Sequence, residues 1–183
     1  LLTDIPDEGG DFPYSQIQVE RQLRGGSINI NLQNMDIGDA RSELGVELDH
    51  GVRMINYVGH GGMDRVASTG LIVNADAANL SNLVTPSFIG LSCLINNYAI
   101  PGWDGLGERL VVQPSARGDA PDSHNTAGMV VSWAASGESY NDQATELAVQ
   151  FHGIEGDYER LGDAIIATFQ SRPYLVPVYT LLG

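Results

Sequence analysis

Two apolar runs that end in reactive residues decide the fold of this chain. Residues 52–62 read VRMINYVGHGG, and residues 87–93 read SFIGLSC. Each run is short and mostly apolar, which is typical of a strand buried on both faces of a parallel sheet. The first run breaks at the glycines that flank His60, and the second leads directly into Cys93. The stretch between them has room for one strand-helix-strand crossover, so we predict that the two strands are parallel neighbours.

Strands and helices alternate along the rest of the chain, separated by Gly, Pro and Asp/Asn residues. The second predicted helix ends before Gly51, a residue type favoured at helix C-termini. This alternation indicates an α/β fold, a three-layer α/β/α sandwich with a mostly parallel sheet. The predicted helices cover residues 15–24, 39–50, 74–83, 103–112, 138–151 and 161–169; the predicted strands cover residues 1–3, 27–32, 52–58, 87–92 and 128–133; a polar loop covers residues 114–126.

Composition excludes several classes of function. The chain has 183 residues, the size of one domain, and a formal net charge of −14. This charge repels phosphate backbones and anionic lipid surfaces, so we expect no nucleic-acid partner. No apolar run approaches the roughly 20 residues of a membrane-spanning helix. The single cysteine, Cys93, excludes an internal disulfide and a cysteine-rich metal cluster.

His60 and Cys93 are the candidate catalytic pair. The carboxyl ends of parallel strands meet at one edge of a sheet, and each residue follows such an end. A thiol needs a base or a cationic neighbour to become a thiolate at neutral pH, and an imidazole is the usual one. Gly61 and Gly62 leave the nearby backbone open, so an N–H there and that of Cys93 could form an oxyanion hole. The alternative is a buried structural cysteine and a histidine that closes a turn.

Two motifs resemble those of the gingipain-like cysteine peptidases, a family with the caspase-like fold. Residues 55–62, INYVGHGG, are similar to the histidine motif of that family, and residues 86–93, PSFIGLSC, are similar to its cysteine motif. Both occur in the family's order and spacing. Further similar segments are residues 106–110, 161–164 and 179–183. The resemblance covers nearly the whole chain and implies the same fold.

The resemblance also implies roles for individual residues. Cys93 would attack a peptide bond to form a thioester, and His60 would protonate the leaving amine. Gly61 and Cys93 would supply the N–H groups of the oxyanion hole. An acidic residue orients the histidine in the family; Asp4 occupies the matching place, and Asp7 and Glu8 are alternatives.

The resemblance says less about substrate preference than about the catalytic residues. Arg-cleaving members read a basic P1 side chain with an acidic residue, but the matching place here falls near Ser15. A preference for basic P1 residues would then depend on a nearby carboxylate such as Asp11 or Glu138. An aromatic lid would be Tyr140 or Trp133, and ordinary packing is the alternative for both.

The resemblance implies a peptide or protein substrate and no required cofactor. A structural calcium ion in the acidic loop of residues 4–11 is an alternative to simple solvation of its carboxylates. His50 and His152 each precede a glycine at a predicted helix end, where the helix dipole favours a cation. The family's best-known members carry an upstream subdomain of similar build. We therefore expect residues 1–183 to form one peptidase domain of a longer, secreted or cell-surface bacterial protein, whose other domains would be partners; a cytoplasmic location is the alternative.

Two other functions are open at this stage. One is a catalytically idle, peptidase-like module that binds partners within a larger protein. The other is a different Cys-His hydrolase or transferase on the same sheet.

Overall fold

The computed structural model describes residues 1–111, 113–114 and 126–183. Six strands form the main sheet in the order β11-β10-β7-β3-β1-β2. The strands are β1 (Leu2–Thr3), β2 (Ile30–Asn31), β3 (Met54–Val58), β4 (Gly61–Gly62), β5 (Arg65–Val66), β6 (Ile72–Val73), β7 (Ser87–Gly90), β8 (Gln113–Pro114), β9 (Thr126–Ala127), β10 (Val131–Ala135) and β11 (Tyr179–Leu182). The helices are α1 (Phe12–Glu20), α2 (Ile37–His50), α3 (Asn74–Ala77), α4 (Leu106–Leu110), α5 (Asn141–Ile154) and α6 (Leu161–Gln170).

The two strands predicted to be neighbours are paired in the centre of the sheet. β3 and β7 run parallel, with Ile55 opposite Phe88. β1 pairs parallel to both β2 and β3, and β10 pairs parallel to β7, whereas β11 pairs antiparallel to β10 at the edge. The sheet is therefore mostly parallel, as predicted, and the antiparallel edge strand is an addition that the sequence pattern did not indicate.

Local capping explains where the helices begin and end. Asp36 accepts hydrogen bonds from the N–H groups of Gly38 and Asp39 at the start of α2. The same helix ends at Gly51, whose φ of 88° lies in the left-handed region, which confirms the predicted C-cap. Asp11 caps α1 through the N–H of Tyr14, so this helix begins before the predicted residue 15.

Two hydrophobic clusters make up the core. One contains Leu44 and Leu48 of α2 together with Tyr57 and Phe88 of the sheet. The other contains Trp133 of the sheet and the residues that pack on it from α5 and α6, among them Leu147, Ala148, Phe151 and Ile165. Because helices bury apolar residues against the sheet in two separate clusters, the three-layer arrangement is confirmed.

Two sequence expectations concern other segments. The predicted polar loop between Pro114 and Thr126 lies outside the described residues, although its two ends pair as β8 and β9. Within the described part of the chain, every helix is too short or too polar to cross a membrane.

Candidate active site

The His60 segment follows β3 and depends on glycines that allow close approach. A side chain on Gly59 would clash with Asp4 and with the hydroxyl of Tyr57. One on Gly61 would clash with the carbonyl oxygen of Cys93. The glycines that flank His60 therefore let this segment lie directly against the Cys93 turn.

Cys93 follows β7 and lies at the same edge of the sheet. The hydroxyl of Ser92 donates to the carbonyl oxygen of Gly59 at 2.6 Å, which joins the two strand ends. The next residue, Leu94, has a φ of 60°, a left-handed conformation that is unfavourable for a side chain of this size. Its N–H donates to the carbonyl of Gly137 at 3.0 Å. The turn at Cys93 is thus held on both sides.

The ring of His60 is held by Asp7. Its Nε2 lies 2.8 Å from Oδ2 of Asp7, and the ring packs edge-on against Phe12 with centroids 5.1 Å apart. The N–H of Gly9 donates to Asp7 at 2.7 Å, and this bond, with the His60 interaction, lowers the pKa of Asp7. An ionised carboxylate can only accept, so Nε2 carries the proton. In the neutral ring, Nδ1 is then the nitrogen that can take up a proton.

Asp4 holds the backbone of His60 instead of its ring. The Asp4 side chain is buried, and its Oδ2 accepts from the backbone N–H of His60 at 3.1 Å. The hydroxyl of Tyr57 lies 3.1 Å from the same oxygen and donates to the carbonyl of His60 at 2.6 Å. Burial and the charge of Asp4 raise the pKa of Tyr57. Asp4, which occupies the family's matching place, thus contacts the backbone of His60, whereas Asp7, one of the two alternatives, contacts its ring, and Glu8 is exposed.

The sulfur of Cys93 contacts Ser139 in the segment between β10 and α5. Sγ lies 3.2 Å from the carbonyl oxygen of Ser139, 3.4 Å from its backbone nitrogen and 3.7 Å from its hydroxyl. Among the described residues, no hydrogen bond joins Sγ to the ring of His60, and the N–H of Cys93 donates none. No sequence pattern indicated Ser139, because its contact with Cys93 depends on how β10 ends beside β7.

The predicted substrate-binding residues fall in two groups. Asp11 is exposed at the start of α1, and Glu138 and Tyr140 are exposed just before α5. Contacts between the two regions bring them together: Gly10 lies against the side chain of Asn141. The segments that carry these three exposed side chains therefore lie next to each other, beside the loop that carries Asp7.

Ser15 and Trp133 are placed differently. Ser15 is buried and accepts a hydrogen bond from Nδ2 of Asn141 at 3.2 Å. Trp133 is fully buried and packs against Phe151 with ring centroids 5.0 Å apart. A ring enclosed in the core cannot stack on a substrate, so Tyr140 is the remaining candidate for an aromatic lid.

A metal site is not apparent in the described parts of the chain, where no three His, Cys, Asp or Glu side chains are grouped as an ion would require. In the acidic loop, Asp7 binds His60 and Gly9, while Asp11 caps α1.

Comparison with solved structures identifies the fold. The chain is similar to the Arg specific cysteine proteinase gingipain R (RgpB), with a TM-score of 0.73 and 12% sequence identity, over 100% of this chain and 45% of that one. It is similar to a complex of the Porphyromonas gingivalis RgpB pro- and mature domains, with a TM-score of 0.70 and 12% identity, over 100% of this chain and 46% of that one. A third structure, of a protease, gives a TM-score of 0.57 and 15% identity, over 98% and 46% of the two chains. The α/β fold is therefore caspase-like, as predicted, and the chain spans less than half the length of these proteins.

Comparison at the level of sequence identifies the family. A search of curated proteins found no significant match. The family model of peptidase family C25 matches residues 14–183, which include both the His60 and the Cys93 motifs. This match confirms the resemblance inferred from those motifs. The chain belongs to peptidase family C25.

Proposed function

We propose that this chain carries the active site of a cysteine endopeptidase, with Cys93 as nucleophile and His60 as acid and base. One observation carries the proposal: adjacent parallel strands bring both residues to one edge of the sheet, where Asp7 holds the imidazole at 2.8 Å. Membership of a peptidase family agrees with this chemistry.

The residues present can complete the reaction without a cofactor. His60 Nδ1 takes the thiol proton of Cys93, and the thiolate attacks the carbonyl carbon of the substrate. His60 then gives the proton to the leaving amine as the C–N bond breaks, which leaves a thioester. Water, deprotonated by His60, hydrolyses the thioester and restores the thiol. Asp7 keeps Nε2 protonated and stabilises the imidazolium that forms in each half-reaction.

Backbone groups next to the two residues suit the oxyanion. The N–H of Cys93 donates no hydrogen bond within the described residues, and Gly61 lies against the Cys93 backbone. We assign these two N–H groups to the carbonyl oxygen of the substrate, where negative charge develops.

We further propose a preference for a basic residue at P1. The formal charge of −14 raises the local concentration of cationic peptides. Glu138 is an exposed carboxylate two residues before Tyr140, and Asp11 is an exposed carboxylate next to Gly10, which lies against Asn141. Tyr140 is 72% exposed, so its ring is free to stack on a guanidinium. A fluorogenic panel that differs only at P1 tests this. Equal or better turnover with Leu, Asp or Ala at P1 would refute a basic pocket.

An idle binding module is the second candidate, and one observation favours it. Sγ of Cys93 contacts Ser139, and no hydrogen bond connects it to His60 in the described structure. Iodoacetamide at neutral pH separates the two functions, because an activated thiol is labelled stoichiometrically and an idle one slowly. Labelling that also stops hydrolysis of a peptide library would support the peptidase.

The remaining expectations about the whole protein stay predictions. Peptide or protein substrates follow from the proposed activity. Other domains of the same polypeptide, a secreted or cell-surface location and a structural calcium ion are separate predictions.

A further inference from the structure

Ser139 surrounds the sulfur of Cys93 with groups of opposite polarity. Its carbonyl oxygen, at 3.2 Å, can only accept a hydrogen bond and therefore suits a protonated thiol. Its N–H, at 3.4 Å, and its hydroxyl, at 3.7 Å, can donate and therefore suit a thiolate. One residue thus offers a partner for each protonation state of the nucleophile.

Tyr179 lies in the strand next to the segment that carries Ser139. Tyr179 begins β11 and pairs with Ala135, just before the segment that carries Ser139. Its side chain is buried, and its hydroxyl makes no hydrogen bond with any of the described residues. Burial raises the pKa of Tyr179 to about 12, and the nearby Ser139 hydroxyl acts in the opposite direction. A side-chain movement that brings the two oxygens within hydrogen-bonding distance would let Tyr179 donate to Ser139.

We propose that Ser139, supported by the hydroxyl of Tyr179, is a positioning residue that holds the Cys93 sulfur as a thiol through its carbonyl and as a thiolate through its N–H and O–H. The proposal rests on the proposed function, in which Cys93 is the nucleophile. The thiol proton moves to His60, and Ser139 keeps its own protons throughout. When the thiol releases the Ser139 carbonyl, the serine hydroxyl turns towards the sulfur, and Tyr179 donates to the serine oxygen.

Other titratable groups also act near the sulfur. Tyr57 on β3 and Tyr179 on β11 interact electrostatically with Cys93, Asp142 at the start of α5 acts on Tyr179, and His60 follows the neighbouring strand β3. None of them changes in a Ser139→Ala variant, so a change in the titration of Cys93 in that variant reports the lost hydroxyl.

The test is the pH dependence of alkylation by iodoacetamide. Cys93 is the only cysteine, so the reaction reports one thiol. We expect Ser139→Ala to raise the pH at which the alkylation rate reaches half its maximum, the midpoint. Below this midpoint, alkylation should slow about threefold to tenfold, because a hydrogen bond to a charged group shifts a pKa by up to about one unit. Tyr179→Phe should move the midpoint less, in the same direction, and Ser139→Thr should restore it.

Matched controls separate this role from general disturbance of the site. Ser136→Ala removes a hydroxyl from the same segment, but that hydroxyl donates to the carbonyl of Val178, so the midpoint should stay unchanged. If Ser139→Ala fails to fold by circular dichroism, Tyr179→Phe decides the question. An unchanged midpoint in the variants that fold would overturn the proposal. A shifted midpoint in a protein that hydrolyses no peptide would instead refute the proposed function alone.

Discussion

The hydroxyl of Ser92 donates to the carbonyl oxygen of Gly59 at 2.6 Å, and this one bond joins the end of β7 to the end of β3. Each of the two residues immediately precedes a proposed catalytic residue, Cys93 or His60. The bond therefore fixes the spacing of the two chain segments on which the chemistry depends.

Removal of this bond should weaken both the fold and the site. We expect Ser92→Ala to lower the free energy of unfolding by about 1–2 kcal/mol, because a partly buried carbonyl loses its partner. Peptide turnover should fall further than this destabilisation explains. Urea unfolding gives the first quantity, and Ser68→Ala, at an exposed serine, is the control. Equal stability of the two variants would show that the bond contributes little.

Asp4 and Asp7 should affect different properties. Asp4 is buried against the His60 backbone, so Asp4→Asn should cost about 1.5–3 kcal/mol of stability, the range for hydrogen bonds to a charged group. Asp7 is half exposed and holds the ring, so Asp7→Asn should lower kcat and should lower the free energy of unfolding less than Asp4→Asn does. Melting curves and kinetics of both variants measure the loss of stability and the loss of kcat separately. The reverse pattern would assign the ring-holding role to Asp4.

The lowered pKa of Asp7 gives a pH dependence of known sign. The usual value is 3.8, and the contacts with Gly9 and His60 lower it in the folded state. The unfolded carboxylate therefore binds a proton first as the pH falls. Above about pH 5, the free energy of unfolding of wild type should exceed that of Asp7→Asn by its full amount. This difference should disappear as the pH falls through the lowered pKa. Urea titrations between pH 3 and pH 7 would show this, and a difference that grows towards acid pH would contradict it.

Leu94 should respond to substitution in an unusual order. Its φ of 60° lies in the left-handed region, which glycine adopts without the cost of about 1 kcal/mol that other residues bear. We expect Leu94→Gly to be more stable than Leu94→Ala by about that amount, the opposite of the order in a helix. Thermal unfolding of the two variants checks this. A more stable Leu94→Ala would mean that the backbone at this position is not left-handed in solution.

The apolar runs before His60 and Cys93 sufficed to predict the central strands, because a strand buried on both faces must be nearly all apolar. The helix predicted over residues 103–112 begins only at Leu106, where Glu108 accepts from the N–H of Gly105 and sets the start. The strand predicted over residues 27–32 shortens to two residues at the sheet edge, where only one neighbour pairs with it.

The site was harder to predict in detail than the sheet. The resemblance implied an acid near His60, but only folding decides that Asp4 reaches the backbone and Asp7 the ring. His152, predicted at a helix end, is buried with Nε2 3.0 Å from Oδ1 of Asn56. Ser139 reaches Cys93 across β10 and β7, and long-range contacts of this kind leave no local pattern in a sequence.

The most direct test of the central claim is peptide hydrolysis by purified wild-type protein and by Cys93→Ala, measured at equal folded concentration. The sulfur is half-buried at a turn and supplies little core volume, so the variant should keep the wild-type melting temperature. We predict turnover by wild type and none by Cys93→Ala. Retained turnover in the variant would contradict the assignment of Cys93 as the nucleophile.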